Sequence, residues 1–312
     1  MSYREVRQIL NAVFDSDDNV LKTIYKTDGE VLNMVLDETG DPALKVRIEG
    51  YEGASAQTAG IGANLLINSA GLINQRGYVS GTATASANQY TLDRWKVAVS
   101  GQSLVFSKTE NIVTFTAPAG GCEQVVEGLS IMTGVYTLSW EGTASASVNG
   151  GSVANSGQVT LTGGTNATVR FTGGTFKKPK LEYGGTATEW TLPEYSSELS
   201  ACKRFLPLRT LTGVPYHPVG FGYPFSTTQA NITLNTTSRG RITPTQVIYS
   251  GTWRLQRSGS SIPVTALSIA PAACSTDNIT VIATVASGLS EGLYTLLSNN
   301  DTTAYIEIPA EI

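Results

Sequence analysis

The chain carries a single histidine, His217. A Ser–His–Asp arrangement would have to be built on that residue, which sits in a stretch rich in proline and aromatics and reads as a surface or interface side chain. Carboxylates are more numerous: residues 51–312 hold 15 acids, among them Glu123, Glu127, Glu141, Glu182 and Glu189. Glycoside hydrolysis needs two of them about 5–10 Å apart, and no pair stands out by spacing. The glycine-rich stretches lack a lysine at phosphate-loop spacing and precede strands rather than helices, which argues against a nucleotide site. Cys122, Cys202 and Cys274 lie far apart in the sequence. That excludes a disulfide framework and a cysteine-rich zinc site, and suits a reducing compartment.

The chemistry these residue types suit better is sugar recognition. Flat aromatic faces stack on the C–H faces of pyranose rings, while Asn, Gln and Thr fix the hydroxyls. Trp95, Trp140, Trp190 and Trp253 are candidates, although Trp95 and Trp140 sit among apolar neighbours on short strands and read as core. Tyr216, His217, Phe221, Tyr223 and Phe225 form the better candidate, an exposed recognition loop that also contains Pro207, Pro215, Pro218 and Pro224. This density of proline predicts an edge strand or surface loop over 206–230 rather than a central strand.

The elements that must position these residues are β-strands. Charged residues make up 15% of the 312 residues and glycine contributes 32, against about 25% charged in an ordinary soluble protein. Over 63–195 the candidate strands are Trp95–Ser100, Ser103–Lys108, Ile112–Thr116, Cys122–Val126, Val135–Glu141, Ala144–Val148, Gln158–Thr162, Ala167–Thr172 and Phe176–Tyr183. They are short and separated by Gly-Gly, Asn-Gly and Ser-Gly turns, the rhythm of a jelly-roll sandwich. Residues 206–312 repeat the pattern in Asn231–Asn235, Gln246–Tyr249, Ile279–Ala286 and Ala304–Ile308, which predicts a second, small C-terminal β-sandwich. Between the two bodies, Glu194–Phe205 reads as a short helix and makes 196–205 the connection. Ser196 or Ser197 would cap it, with Tyr195, Leu199 and Cys202 on one face. The fold class expected is therefore all-β.

The first fifty residues differ. They hold 6 Lys and Arg against 10 Asp and Glu, which accounts for the whole net charge of −4. The remainder is formally neutral, and residues 51–62 read as a linker. Leu10-Asn-Ala-Val-Phe-Asp15 recurs as Leu32-Asn-Met-Val-Leu-Asp37, each followed by a polar turn and a second apolar run, with a period of about 22 residues. Each copy reads as a hairpin. A lone hairpin is marginal in water, so the segment is expected to dock onto a partner through Leu10, Val13, Phe14, Leu21, Leu32, Val35, Leu36 and Leu44. The alternative is that both copies pack into one small β-unit. Met1–Leu10 is polar and charged, so no secretory leader is expected, and no apolar run reaches the ~18 residues of a membrane span. The acidic balance argues against nucleic acid as partner.

Tyr136-Thr-Leu-Ser-Trp-Glu-Gly142, Gln158-Val-Thr-Leu-Thr162 and Lys180-Leu-Glu-Tyr-Gly-Gly-Thr-Ala-Thr-Glu-Trp190 resemble the later strands of jelly-roll carbohydrate-binding modules. Asn64-Leu-Leu-Ile-Asn68, Ile73-Asn-Gln-Arg-Gly77, Tyr90-Thr-Leu-Asp-Arg-Trp95 and the Cys202-Lys-Arg-Phe205 run look like the version found in bacteriophage fibre proteins. Thr252-Trp-Arg254, Asn278-Ile-Thr-Val281, Ala286-Ser-Gly-Leu289 and Ser298-Asn-Asn-Asp-Thr-Thr-Ala-Tyr-Ile306 are similar to distal tip domains of phage tail or collar fibres. The resemblance implies a non-enzymatic virion fibre, a homotrimer, anchored by residues 1–50 to adaptor, collar, portal-region or capsid proteins and facing host surface polysaccharide. A head fibre or capsid decoration protein and a glycan-degrading depolymerase subunit are the alternatives. No cofactor is implied beyond a structural calcium, for which Asp93, Glu141 or Glu182 would supply hard oxygen ligands.

Overall fold

The computed structural model describes residues 62–211, 213–236, 238–257 and 260–311, together with the backbone of three strands nearer the N-terminus. The chain divides into two compact units, Met1–Ile61 and Gly62–Ile312. Both are built from antiparallel β-structure, as expected.

In the first unit β1 (Lys22–Tyr25), β2 (Val31–Leu36) and β3 (Pro42–Val46) form one meander. The second expected hairpin is β2–β3, with Val35 opposite Leu44. The first strand, however, belongs to the first repeat and pairs with β2 of the second, Ile24 facing Leu32 across the ladder. The two copies are thus joined in one sheet rather than standing as separate hairpins, which pairs a strand edge that a lone hairpin leaves open. Leu10, Val13, Phe14, Leu21 and the linker at 51–61 lie outside the described residues.

The second unit opens with a two-sheet sandwich. Its strands are β4 (Gln89–Tyr90), β5 (Lys96–Val97), β6 (Val105–Thr109), β7 (Ile112–Ala117), β8 (Cys122–Val126), β9 (Gly134–Gly142), β10 (Ser145–Val148), β11 (Gly151–Val153), β12 (Gly157–Leu161), β13 (Ala167–Thr172) and β14 (Gly174–Tyr183). One sheet runs β11-β10-β13-β8-β5-β4 and the other β12-β9-β14-β7-β6. From β7 onward the chain alternates between sheets, with only the β10–β11 hairpin staying in one. Alternation explains the core: Ala167, Val169 and Phe171 of β13 point inward while Thr168, Arg170 and Thr172 do not. Phe171 stacks on Phe176 at 4.2 Å, Phe176 on Phe115 at 4.8 Å, and Trp95 tilts against all three. Trp95 and Trp140 are core residues, as their neighbours predicted. The strand expected from Trp95 is cut to two residues, because Ser100 and Gly101 already turn the chain.

A helix, α1 (Tyr195–Phe205), follows. Its cap is Glu194, not Ser196 or Ser197: the Glu194 carboxylate accepts from the backbone N–H groups of both serines, at 2.9 and 2.7 Å. The helix therefore begins one residue before the serines, and Tyr195 lies exposed at its first turn rather than on the inner face. Cys202 and Phe205 are the buried residues.

The last body is a closed barrel. Its strands β16 (Pro218–Pro224), β17 (Gln229–Leu234), β19 (Trp253–Arg257), β20 (Ser260–Ile269), β21 (Ile279–Val285) and β22 (Thr295–Asn299) run in the order β16-β17-β21-β20-β19-β22. Beside it β15 (Leu208–Leu211), β23 (Tyr305–Ile308) and β18 (Ile248–Ser250) make a three-stranded sheet. Closure removes the open edges a sandwich would keep. Ala230, Ile232, Leu234, Trp253, Leu255, Val281, Ala283 and Leu297 fill the interior.

Sandwich and barrel belong to the same compact unit, and buried ion pairs cross between them. Glu307 of β23 takes Arg76 at 2.9 Å and Arg209 at 2.6 Å. Glu311 takes Arg76 at 3.3 Å and also Arg94. Burial leads the shifts on Glu311, pushing its carboxyl above the ordinary value even with both arginines beside it.

Candidate functional site

The outer face of the barrel gathers exposed aromatics and amides. It is organised by β16, which the proline content had assigned to an edge or loop. That expectation is corrected: β16 pairs with β17 on one side and β22 on the other. Pro218 and Pro224 stand at its two ends, so neither removes a donor from the middle of the ladder. Inside the strand, Gly222 lies so close to β17 that an added Cβ would fall 1.8 Å from the Asn231 carbonyl oxygen. Glycine here lets two backbones approach, while Phe221 and Tyr223 project outward at 46% and 55% exposure.

The neighbouring strands supply the polar groups. On β17, Asn231 and Thr233 face outward while Ala230, Ile232 and Leu234 face in. Thr233 and Thr280 of β21 share a hydroxyl contact at 3.4 Å. The Asn278 amide donates to Ala273 O at 2.8 Å and to Thr280 Oγ1 at 3.3 Å. Across β22, Tyr294 stacks on Phe221 with ring centres 6.2 Å apart and planes 24° apart. Phe221, Tyr223, Asn231, Thr233, Asn278 and Tyr294 line a groove of about 560 Å³. On the other side of Tyr294 a second groove of about 790 Å³ is lined by Gln256, Arg257, Ser260, Leu293, Tyr294 and Leu296. Both volumes fall in the range of ligand clefts. Tyr294 is common to both, so the two grooves flank one aromatic ridge.

Of the five residues expected at this site, Phe221 and Tyr223 are in the groove. Tyr216 is exposed one strand-end away, its ring 3.8 Å from the Arg254 guanidinium carbon. His217 and Phe225 flank the two ends of β16, exposed, and line neither groove. The backbone N–H of His217 donates to Asn299 Oδ1 at 2.7 Å. Sequence reasoning missed Tyr294, Asn231, Thr233 and Asn278. The alternation of Asn231 and Thr233 with Ile232 and Leu234 was a usable signal; Tyr294, in a polar connection before β22, gave none.

Trp253 is buried in the barrel and offers no sugar platform. Trp190 is half-buried and donates through Nε1 to Ser69 Oγ at 3.2 Å. The three acids considered for calcium are engaged separately. Asp93 accepts from Gln75 N at 2.6 Å and Gln75 Nε2 at 2.7 Å. Glu182 is fully buried and takes Thr188 N and Oγ1 and Lys180. Glu141, at the surface, takes Lys177 and Lys178, whose hydrogen bonds hold its carboxyl below the usual range. Among the described residues no three His, Cys, Asp or Glu side chains gather into a metal site.

No protein-family model matches this chain, and no curated protein matches it either.

Proposed function

We propose that the chain is a structural fibre of a phage virion: the N-terminal repeats anchor it at the head–tail region, the sandwich and barrel project outward, and the aromatic face of the barrel binds a host surface glycan. The observation that carries the binding half is the stacked Phe221–Tyr294 pair beside Tyr223, set over Asn231, Thr233 and Asn278. Aromatic planes flanked by amides and hydroxyls match the two faces of a sugar, one apolar and one hydrogen-bonding. The resemblance of residues 60–312 to fibre parts and the tandem repeat before them support the anchoring half. A homotrimer agrees with a low charge density, because like chains then approach without strong repulsion.

A glycan array probed with the full chain and with Tyr294→Ala tests binding. Sugars retained by the parent and lost in the variant are expected; equal signals from both would reject this face as the site. Deleting residues 1–50 tests anchoring, with the deletion expected to stay folded but to be absent from purified particles. Normal incorporation of the deletion would refute it.

A further inference from the structure

The arginines of the described residues fall into two groups. Most are ion-paired: Arg76, Arg94 and Arg209 in the buried network, Arg204 and Arg241 with Glu127, and Arg170 and Arg239 with their own carboxylates. Arg254 and Arg257 are the two with no carboxylate partner among the described residues, and both stand on β19. Arg254 donates through Nη1 to Ser261 Oγ at 3.0 Å and lies against the Tyr216 ring, while its Nε is buried without a partner. Arg257 donates through Nη2 to Gly288 O at 2.9 Å, and its Nη1 is buried without a partner. Arg257 lines the larger groove, and none of the other residues lining that groove is acidic.

A half-buried guanidinium with no carboxylate beside it is an unfavourable arrangement by itself, because its charge has partly left water without a counter-charge. An oxyanion repairs it, and arginine's planar fork suits carboxylate and phosphate oxygens better than a neutral hydroxyl. Building on the glycan reading of the aromatic face, we infer that its ligand is acidic: a polysaccharide whose sugars stack on Tyr294 and whose anionic groups meet Arg257 in the groove. Arg254 and Arg257 stand an odd number of residues apart in the regular β19–β20 ladder, so their side chains leave opposite faces of the strand, and of the two it is Arg257 that lines the groove. Residues 51–312 carry 15 charges of each sign, so no excess of negative charge in this part of the sequence repels such a chain.

The test is calorimetric titration of the full chain with three probes of equal length: oligogalacturonate, poly(glycerol phosphate) and neutral cellohexaose. The better of the two anionic probes is expected to bind at least about tenfold tighter than cellohexaose. That margin is expected to shrink as salt rises from about 50 to 500 mM, because ions screen exposed charge. The stronger anionic probe identifies carboxylate or phosphate as the source. Arg257→Gln, checked for unchanged melting temperature, should bring the acidic-to-neutral ratio toward one, and an unchanged ratio in this variant would overturn the assignment to Arg257. Equal, salt-insensitive binding of neutral and acidic probes would overturn the acidic assignment while leaving a glycan face in place. Absence of binding to every probe, with a blank glycan array, would remove the glycan face and this inference together.

Discussion

Arg94 holds its guanidinium carbon 3.5 Å from the centre of the Phe205 ring. One residue comes from the sandwich and the other ends α1, so this stack fastens the helix to the body before it. The same guanidinium pairs with Glu311 and donates to Val125 O at 2.5 Å, drawing in the C-terminal residues as well. Arg94 also sits at φ 69°, a conformation costly for a residue with a Cβ and kept only where surrounding contacts hold it. The clamp is where sandwich, helix and barrel become one body.

Arg94→Ala should therefore destabilise the protein by about 3–5 kcal/mol, the range for breaking a buried ion pair, because it leaves Glu311 with only the longer Arg76 contact and also removes the stack on Phe205. Arg239→Ala serves as the comparison. Its pair with Asp277 is 73% and 62% exposed, and its loss should change stability by under about 1 kcal/mol. Urea unfolding of both variants at neutral pH measures the difference; equal midpoints would mean the clamp does not hold the bodies together.

Gly222→Ala tests the close approach that seats the aromatic face. The new Cβ would meet backbone, not a movable side chain, so β16 and β17 must separate. Overpacking of this kind costs about 1–3 kcal/mol or more, and the ladder between Tyr223 and Asn231 should lose protection in hydrogen exchange. An unchanged exchange pattern would show that the barrel absorbs the methyl elsewhere.

Much of this architecture was legible in the residues. β8 and β13 have the bounds the sequence implied, because glycines lie close to both ends of each segment; β13 also alternates, whereas all five residues of β8 are buried. β4 and β11 were invisible, being too short to show any period. β16 was misread because proline was counted as a breaker without regard to its place at the strand ends. The clamp escaped for a different reason: Arg76 and Arg94 meet Glu307 and Glu311 across 231 and 217 residues, and no local pattern encodes such a pairing. The aromatic site was half legible, since Phe221 and Tyr223 lie close together in sequence while Tyr294 joins them only through the β16–β22 ladder.

The cysteines should differ sharply in reactivity. Burial pushes the thiols of Cys122 and Cys202 well above the usual range, so neither offers a thiolate near neutral pH. Cys274 is only half-buried, and its thiol donates to Thr280 O at 3.2 Å. Iodoacetamide at pH 8 followed by peptide mass spectrometry should find Cys274 modified first in the native protein, with Cys122 and Cys202 labelled only after unfolding in urea. Early labelling of Cys122 would mean that the sandwich opens around its aromatic stack.

Glu194 gives the pH dependence. Hydrogen bonds from the Ser196 hydroxyl and from the backbone N–H groups of Ser196 and Ser197 lower its carboxyl from 4.5 to about 2. A carboxyl depressed by folding stabilises the folded state fully above its unfolded value, and that contribution fades as pH falls through the folded one. Glu194→Ala should accordingly lower the melting temperature at pH 6, and the gap from the parent should narrow between pH 4.5 and about 2 as the parent's carboxylate takes up its proton. Because the group is exposed, the gap should be small, and it should persist in moderate salt, since short hydrogen bonds rather than distant charges produce the shift. Melting curves of both proteins across that pH range decide the matter: a gap that stays constant down to pH 2 would mean that the helix start is held by the chain around it and not by the ionised cap.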